Sequence, residues 1–391
     1  MRFLTAGESH GPELTAILDG MPAGLLLSAE DINKELERRQ QGYGSGGRMN
    51  IERDTVRLTS GVAAGRTTGA PLAMTVENRD YKNWREKDIA PMTTPRPGHA
   101  DLTGAVKYGY RELRIALERA SARETTMRVA AGAVCKRLLD EFGIVIGGYV
   151  TQIGQVMAAL DPAQSYAERL TLAEASDVRC PDAAAAEAMH ESIRQAKIDK
   201  DTLGGVIEVV ALNVPAGLGS HVQFDRRLDA KIVAAMVSIH AMKGAEIGAA
   251  FENSTKRGSQ VHDEIGVRDD GMLYRKTNRA GGLEGGITTG EPILCRVAMK
   301  PISTVMAALE SVNLATGEPE QTTYERSDFC ATPRAVPICE AMMALVIADA
   351  LLEKLGGDSI DEMHPRFESL RKARLQDLPM DNVEWRFGYP V

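Results

Sequence analysis

The chain has 391 residues, of which 43% are hydrophobic and 26% are charged, so it is long and apolar enough to bury a large core in one or two domains. Its formal net charge of -8 argues against nucleic acid as the main partner, because such binding needs a broad basic surface that neutralises phosphates. Aromatic residues make up only 5%, which also disfavours a platform that stacks on single strands.

Capping residues and apolar periodicity predict helices in the first half of the chain. The first helix covers residues 28–41, with Ser28 and Asp31 as a capping pair and Gly42 after its end. Residues 105–142 are rich in alanine and arginine and predict one long helix, continuous or broken.

The second half of the chain alternates between helical and strand-like patterns. Residues 183–198 predict a helix, residues 206–214 a strand because of their β-branched content, and residues 228–242 and 336–355 further helices. The polar tail beyond Gly356 is expected to be a loosely attached arm. The chain is therefore expected to be of mixed α and β class.

Two short sequences recur in the same order in both halves. Pro-Ala-Gly-Leu at Pro22 recurs at Pro215, and Thr-Thr-Gly-Ala-Pro-Leu at Thr67 recurs as Thr-Thr-Gly-Glu-Pro-Ile at Thr288. Matches this short can arise by chance, but the shared order favours an internal duplication.

The duplication predicts one domain over residues 1–391 with a shared core. Its two repeats would cover about residues 1–145 and 205–355, on either side of a helical insertion at about residues 155–200.

Cysteine use and the lack of apolar segments indicate the compartment. No segment approaches the roughly 20 apolar residues that cross a bilayer, and the N-terminus has no apolar stretch typical of a signal peptide. A soluble, cytoplasmic protein without membrane partners is expected. The five cysteines form no Cys-x-x-Cys pair, which fits a reduced cytosol; they are Cys135, Cys180, Cys295, Cys330 and Cys339.

Familiar nucleotide-binding patterns fail in this sequence. Gly42, Gly44 and Gly47 satisfy Gly-x-Gly-x-x-Gly, but they follow a helix where a dinucleotide fold needs a strand. Residues 61–67 resemble a P-loop but have the wrong spacing and no lysine at the phosphate-binding position.

Two histidines stand beside glycine in short polar segments. His10 lies in Gly-Glu-Ser-His-Gly, and His99 follows Gly98 with Arg96 and Asp101 close by. Imidazole exchanges protons near neutral pH, so catalysis is one interpretation, although either histidine alone is more often structural. Metal binding by both histidines with Asp101 and the nearby Glu8 is disfavoured, because the spacing matches no known closed site.

Arg119 and Arg123 are four residues apart, which predicts that both guanidinium groups lie on one helix face. Paired arginines suit bidentate recognition of phosphate and carboxylate. The alternative is a solvated helix face on which Glu118 and Glu124 neutralise them.

Other polar segments also look like ligand loops. Arg39 ends the first helix, Arg48 follows the glycine loop, residues 299–304 combine Lys300 with two hydroxyl side chains, and Arg326 stands two residues before Asp328. Histidines, arginines and hydroxyls dispersed over both halves imply a polyanionic ligand but do not name a reaction.

Six of these segments occur together, in order, from residue 7 to residue 328, and jointly they resemble the chorismate synthase family. The segments are GESHG, RRQQGYGSGGRM, PRPGHAD, ERASARETT, DTLGG, and KPIST followed by ERSD.

The resemblance implies a single α+β domain, a β-α-β sandwich in which antiparallel sheets enclose helices, assembled as a homotetramer. It also implies a carbon–oxygen lyase of the shikimate pathway, at the last common step of aromatic amino-acid biosynthesis. Members carry out an anti 1,4-elimination of phosphate and a ring proton from 5-enolpyruvylshikimate 3-phosphate to give chorismate. The reaction is redox-neutral yet requires reduced FMN, and NADPH is expected at most as an indirect reductant.

The resemblance also carries residue roles onto this chain. His10 would assist the departing phosphate, His99 would protonate or stabilise the reduced flavin, and Asp328 would accept or relay the ring proton. Substrate anions would be held by Arg39, Arg48, Arg96 and Arg123. FMN contacts would fall on Arg119, Ala120, Ser121, His240, Ala241, Gly285, Lys300, Pro301, Ile302, Ser303, Thr304 and Arg326. No metal is expected.

Two positions depart from the family pattern. Many relatives have Arg where this chain has Ser45, and many have Asn where it has His240, which leaves one anion contact and one flavin contact in doubt. Two rival functions stay open: a flavin-free lyase or transferase on a similar substrate, and an anion-binding or nucleic-acid-binding module. The module leaves His10, His99 and Asp328 without roles.

Overall fold

The structure is a computed structural model, and it describes residues 1–44, 54–323 and 328–388. The elements of the first part of the chain are β1 (Arg2–Ala6), β2 (Glu13–Asp19), α1 (Ala29–Gln40), β3 (Val56–Ser60), β4 (Val62–Ala63), β5 (Arg66–Thr67), β6 (Leu72–Glu77), α2 (Tyr81–Trp84), α3 (Asp101–Tyr108), α4 (Arg114–Arg119), a 3-10 turn (Ala122–Glu124) and α5 (Thr125–Asp140).

The rest of the chain alternates in the same way. Its elements are β7 (Val145–Ile153), β8 (Val156–Met157), α6 (Tyr166–Ala175), α7 (Ala183–Ile198), β9 (Gly205–Leu212), a 3-10 turn (Phe224–Arg226), α8 (Leu228–Val237), β10 (Met242–Ile247), α9 (Ala250–Asn253), α10 (Gly258–Val261), β11 (Ile265–Val267), β12 (Leu273–Arg275), β13 (Leu283–Glu284), β14 (Ile287–Thr288), β15 (Ile293–Met299), β16 (Glu310–Val312), β17 (Pro319–Gln321), α11 (Thr332–Leu355), α12 (Ile360–Glu368) and a 3-10 turn (Leu375–Asp377).

Two antiparallel sheets form the outer layers. The first has the strand order β1-β2-β6-β3, and the second the order β10-β15-β9-β7-β8. Alternate residues of the inner strands point into the core, as with Leu72, Met74 and Val76 of β6. The central helices α5 and α11 pack against each other, α5 against the first sheet and α11 against the second. The predicted α+β sandwich, with antiparallel sheets around helices, is confirmed.

Helix α11 is buried nearly all round, because it lies between the second sheet and the helices α1, α5, α8 and α12. By length and composition it is apolar enough to cross a membrane, so the prediction that no segment approaches such a span was wrong. Its most apolar window is 83% buried inside the protein, as in the core helix of a globular fold.

The two sheets have corresponding strand orders. β1, β2, β6 and β3 occupy the positions in the first sheet that β7, β9, β15 and β10 occupy in the second. α1 follows β2 and α8 follows β9, while α6 and α7 stand in the stretch predicted as an insertion.

The recurring sequences also form the same local structure. Thr67 Oγ1 donates to the carbonyl of Pro22 at 2.6 Å, and Thr288 Oγ1 donates to the carbonyl of Pro215 at 2.6 Å. Each hydroxyl also accepts the backbone N–H of the leucine that closes the Pro-Ala-Gly-Leu segment. This agreement supports the duplication, which stays a prediction.

The predicted helix boundaries were right at some ends and wrong at others. The capping box of Ser28 and Asp31 begins α1 as predicted. The helix expected over residues 105–142, continuous or broken, is broken into three helices and a 3-10 turn, because Gly109 adopts a left-handed conformation and Ser121 is extended. The helix expected over residues 228–242 ends at Val237.

The C-terminal tail is attached over more of its length than expected. Helix α12 docks through Ile360 and Met363, which are buried. The backbone of Ala23 donates to the carbonyl of Asp358 at 2.9 Å and fixes the start of this segment. Within the described part of the tail, residues 378–388 are exposed throughout.

Candidate functional site

The segment from the end of α4 to the start of α5, residues 118–125, contacts two other parts of the candidate site. It contacts the loop after β1 through Glu118 and Ser121, and Asp54 through Arg123. Ser121 has an extended backbone, which interrupts the helix. Because of this interruption, neighbouring side chains of the segment point toward different partners.

The imidazole of His10 is held on two sides. Its Nδ1 lies 2.7 Å from Oε1 of Glu118, and its backbone N–H donates to Oε2 of the same carboxylate at 2.7 Å. The ring of Trp84 packs against the imidazole with 4.2 Å between centroids. Although burial by itself would raise the pKa of Glu118, the hydrogen bonds from His10 hold that pKa below its usual value.

Ser9 and Ser121 form a hydroxyl pair beside His10. Ser121 Oγ donates to Ser9 Oγ at 3.2 Å, and Ser9 is almost completely buried. The side-chain amide of Asn78 donates to the carbonyls of Ser9 and Gly11 and so fixes the loop that carries His10.

His99 has a carboxylate partner of its own. Its Nδ1 lies 2.6 Å from Oδ1 of Asp101, whose side chain is fully buried. Arg96 forms a fork on the same carboxylate, from Nε to Oδ2 at 2.8 Å and from Nη2 to Oδ1 at 3.0 Å. Burial would raise the pKa of Asp101, but hydrogen bonds from His99 and Arg96 hold it well below its usual range.

Arg96 is buried and its guanidinium is shared between two segments. Besides Asp101, it donates from Nη1 to Oγ1 of Thr304 at 3.1 Å. It therefore joins the His99 loop to the loop after β15. A direct contact between Arg96 and a substrate anion stays a prediction.

Lys300 brings the loop after β15 to the other motifs. Its Nζ donates to the carbonyl of Gly98 at 3.0 Å, and its backbone N–H donates to the carbonyl of Ala241 at 3.0 Å. Burial lowers the pKa of Lys300, and the neighbouring Lys243 lowers it further. Ala241 has φ +65°, a left-handed conformation that is strained for a residue with a side chain.

His240 lies next to this strained position. Its Nδ1 is buried and forms no hydrogen bond with the residues that the structure describes, and it lies 3.9 Å from Oε2 of Glu124. Burial lowers the pKa of His240, against the opposing effect of Glu124. Arg119, on the neighbouring segment, donates to the carbonyl of Thr5 at 2.9 Å.

A second cluster contains three arginines and two carboxylates. Asp54 lies 3.7 Å from Nη1 of Arg39 and accepts from Nη2 of Arg123 at 3.2 Å. Arg334 donates to Asp328 at 2.6 Å and, from Nε, to the carbonyl of Arg39 at 3.3 Å. Burial lowers the pKa of Arg39 to about 10; Asp54 opposes this, and Arg334 and Arg123 add to it. Arg39 and Asp54 are thus buried, while Arg123, Arg334 and Asp328 are half-buried.

The motif at residues 201–205 supports the site without contributing a reactive group. Thr202 Oγ1 donates to the carbonyl of Ile302 at 2.8 Å, and the N–H of Leu203 donates to the carbonyl of Phe329 at 2.8 Å. A Cβ on Gly204 would lie 2.3 Å from the carbonyl oxygen of Met299. Only glycine therefore allows these segments to approach so closely.

Some of the predicted site residues cannot be placed beside His10 and His99. Arg48, Arg326 and the departure at Ser45 lie outside the described residues. Gly285 lies in the turn between β13 and β14, where a Cβ added to it would lie 3.8 Å from His221. Among the described residues, no hydrogen bond or ion pair joins Gly285 to His10, His99 or Lys300.

The helical interpretation of Arg119 and Arg123 was wrong. α4 ends at Arg119, so the two side chains diverge, toward Thr5 and toward Asp54. Glu118 pairs with His10, and Glu124 with Arg128 at 2.9 Å, so neither forms the expected pair with these arginines.

Sequence reasoning missed several residues of the site. Asp54, Trp84 and Arg334 have no local motif that marks them, although Arg334 stands six residues after Asp328. Over the described part of the chain, no group of three or more His, Cys, Asp or Glu side chains is arranged to hold a metal ion. Imidazoles held in this way are suited to proton transfer.

Comparison with known proteins names one family. A family model described as chorismate synthase matches residues 1–352. Chorismate synthase of Geobacillus sp. (strain WCH70) is 52% identical over 383 residues, covering 95% of this chain and 99% of the relative. That of Aquifex aeolicus (strain VF5) is 53% identical over 387 residues, with coverage of 94% and 96%. A solved structure described as "Crystal Structure of Chorismate Synthase" has a TM-score of 0.78 and 47% identity, covering 94% and 96% of the two chains.

Proposed function

The chain belongs to the chorismate synthase family, and we propose that it removes phosphate and a ring proton from 5-enolpyruvylshikimate 3-phosphate by anti 1,4-elimination to give chorismate. The chorismate synthase assignment makes it an enzyme of aromatic amino-acid biosynthesis. The observation that carries the proposed reaction is the pair of imidazoles, each held at Nδ1 by a carboxylate, together with an arginine cluster in which Arg39 is buried.

The arginine cluster is the proposed site for the anionic groups of the substrate. Arg39, Arg123 and Arg334 place three guanidinium groups around the carboxylates of Asp54 and Asp328. A phosphate or carboxylate bound by these guanidinium groups would be partly shielded from water, so each charge-assisted hydrogen bond would contribute about 1.5–3 kcal/mol. Arg48 and Arg96 stay in the proposed set of substrate-binding residues.

His10 is the proposed group that assists the departing phosphate. Because its Nδ1 is engaged by Glu118, Nε2 is the nitrogen left to act on a substrate, and protonated imidazole can stabilise charge on the leaving oxygens. The Ser9 and Ser121 hydroxyls lie beside it and can orient the same oxygens.

The residues near His240 fit a flavin that carries a phosphate. The buried Nδ1 of His240 lacks a hydrogen bond within the described residues, which suits a ligand with polar ring atoms. Lys300 and Arg119 supply cationic groups for the phosphate. Reduced FMN, when bound, would supply electron density that eases loss of phosphate from the allylic carbon. The proposed contacts are those that the resemblance implies, Arg119 to Ser121, His240, Ala241, Gly285, Lys300 to Thr304 and Arg326.

Two further residues complete the proposed proton transfers. His99 would hold a proton toward the flavin from Nε2, since Asp101 engages its Nδ1. Asp328 would accept or relay the proton lost from the substrate ring, with Arg334 holding its carboxylate in place.

The cellular setting is proposed from the family and the composition. We expect a soluble, cytoplasmic homotetramer, a carbon–oxygen lyase that receives reduced flavin from other enzymes, with NADPH as an indirect reductant. No inserted reductase segment stands out in the sequence. Neither nucleic acid nor membrane is an expected partner of this acidic chain.

Anaerobic turnover tests the proposal directly. The protein is mixed with 5-enolpyruvylshikimate 3-phosphate and reduced FMN, and phosphate and chorismate are followed together. Equal amounts of both products with reduced FMN, and none with oxidised FMN, are expected. Product formation without flavin would support the flavin-free lyase instead, and no product from a folded, flavin-binding protein would favour a module that only binds anions.

A further inference from the structure

One carboxylate binds both the backbone and the side chain of His10. Oε2 of Glu118 accepts the backbone N–H at 2.7 Å, and Oε1 lies 2.7 Å from Nδ1 of the ring. Because both contacts come from the same planar group, the direction of the ring is fixed relative to the backbone of its loop. The backbone N–H of Ser9 also donates to the carbonyl of Glu118 at 3.1 Å, which fixes the loop to the end of α4.

The chemistry of this contact decides where the imidazole carries its proton. An ionised carboxylate only accepts hydrogen bonds, so a ring nitrogen 2.7 Å away must donate. Neutral His10 therefore carries its proton on Nδ1 and leaves Nε2 as an acceptor, whereas in water a neutral imidazole favours the proton on Nε2. Second partners of this kind set the tautomer of functional histidines elsewhere.

Trp84 limits rotation of the His10 imidazole. Its indole packs on the imidazole at 4.2 Å with an interplanar angle of 43°, and its own Nε1–H donates to Oδ2 of Asp80 at 2.8 Å. A ring flip of His10 would break the contact with Glu118 and would have to pass the indole. The imidazole thus has one favoured orientation before any ligand arrives.

We propose that Glu118 is a positioning residue, which holds the proton of His10 on Nδ1 and so presents Nε2 to the substrate. The part concerning the substrate rests on the proposed function, whereas the tautomer does not. A purely structural role, in which Glu118 only ties down the loop through the backbone N–H, is the alternative to exclude.

Nuclear magnetic resonance of the ligand-free protein tests the tautomer. Long-range proton–nitrogen spectra of protein labelled with ¹⁵N-histidine are recorded at rising pH until the His10 ring is neutral. The His10 signals are assigned by their loss in His10→Gln. The proton is expected on Nδ1 in the wild type and mainly on Nε2 in Glu118→Ala. A wild-type ring protonated on Nε2, or a ring unchanged in Glu118→Ala, would overturn the proposal.

Kinetics of the full chain then separate positioning from anchoring. Glu118→Gln keeps the size of the side chain, but its amide group cannot accept hydrogen bonds from both the ring and the backbone. We expect kcat to fall about 10- to 100-fold with little change in KM, as on loss of other partners that orient a functional group. The matched control is Glu112→Gln, because Glu112 also accepts backbone N–H groups, from Met92 and Arg114, but contacts no histidine among the described residues.

The spectra and the kinetics can contradict the proposal independently of each other. If the ligand-free spectra give the expected tautomers but no variant or wild-type protein forms chorismate, the proposed function fails and the positioning of His10 stands. If Glu118→Gln keeps wild-type kcat in a protein that forms chorismate, or if the control loses as much, the carboxylate has only a structural role.

Discussion

Nδ1 of His99 lies 2.6 Å from Oδ1 of Asp101, and the other oxygen of this fully buried carboxylate accepts Nε of Arg96 at 2.8 Å. His10 and Glu118 repeat the first half of this arrangement without an arginine fork. Both histidines that stand out in the sequence therefore have a carboxylate on Nδ1, although the two partners come from different places along the chain.

Asp101→Asn should impair both catalysis and stability. The amide cannot accept from His99 and Arg96 together, and a buried guanidinium without its carboxylate costs about 3–5 kcal/mol of the free energy of unfolding. We expect kcat to fall about 10- to 100-fold. Chemical denaturation and steady-state kinetics measure the two effects, with Asp88→Asn, at an exposed position, as the control. Full activity together with full stability would show that the fork is dispensable.

His10→Ala, His99→Ala and Asp328→Ala should each lower turnover and leave the fold intact. Each removes a partly exposed group with a proposed role in proton transfer, for which losses of about 100-fold or more are typical. His262→Ala, at an exposed histidine outside the site, is the control. Turnover near the wild-type value in all three variants would remove the role assignments.

Arg123→Ala should act on binding rather than on proton transfer. Loss of one charge-assisted contact to an anion predicts a rise of about 10- to 100-fold in the substrate requirement or in the dissociation constant of the flavin. The control is Arg226→Ala, because Arg226 pairs with Glu353 at the surface. Titrations of both variants with substrate and with FMN measure these affinities. Unchanged affinity of Arg123→Ala for both ligands would contradict the prediction.

The sequence predicted the elements with strong local signals and the order of the motifs. The capping box of α1, the helix at residues 183–198 and the strand around residues 206–214 depend on nearby residues, and all three are present. Residues 105–142 could not be divided correctly, because the extended conformation of Ser121 is stabilised by contacts with distant segments, such as its hydroxyl contact with Ser9.

In the candidate site, too, local signals were predictable and long-range contacts were not. The histidines and arginines could be listed because short motifs mark them, but their partners could not. Asp54 reaches Arg123 across 69 positions and Glu118 reaches His10 across 108, distances over which helical or strand periodicity carries no information. Only the packing of the two sheets around α5 and α11 brings such pairs together.

Glu340 should make the core of the protein sensitive to acid. It is buried on α11 and accepts from Arg38 at 2.7 Å and from Lys136 at 2.5 Å. Burial by itself would raise its pKa, but Lys136 and Arg38 lower it to about 2. Because the pKa is lower in the folded state, this stabilisation is present above the ordinary glutamate value of about 4.3 and is lost as the pH falls toward 2.

Glu340→Gln tests this linkage. The variant leaves the half-buried Arg38 and Lys136 with one carboxylate fewer, although both keep Glu35 as a partner, so at neutral pH we expect it to lose about 1–3 kcal/mol of the free energy of unfolding. The difference from the wild type should narrow between about pH 4.5 and pH 2, because the wild-type glutamate itself becomes protonated there. Urea unfolding at a series of pH values measures this difference, with Glu353→Gln at the surface as the control. A difference that stays constant from neutral to acid pH would mean that the charge of Glu340 contributes nothing to folding.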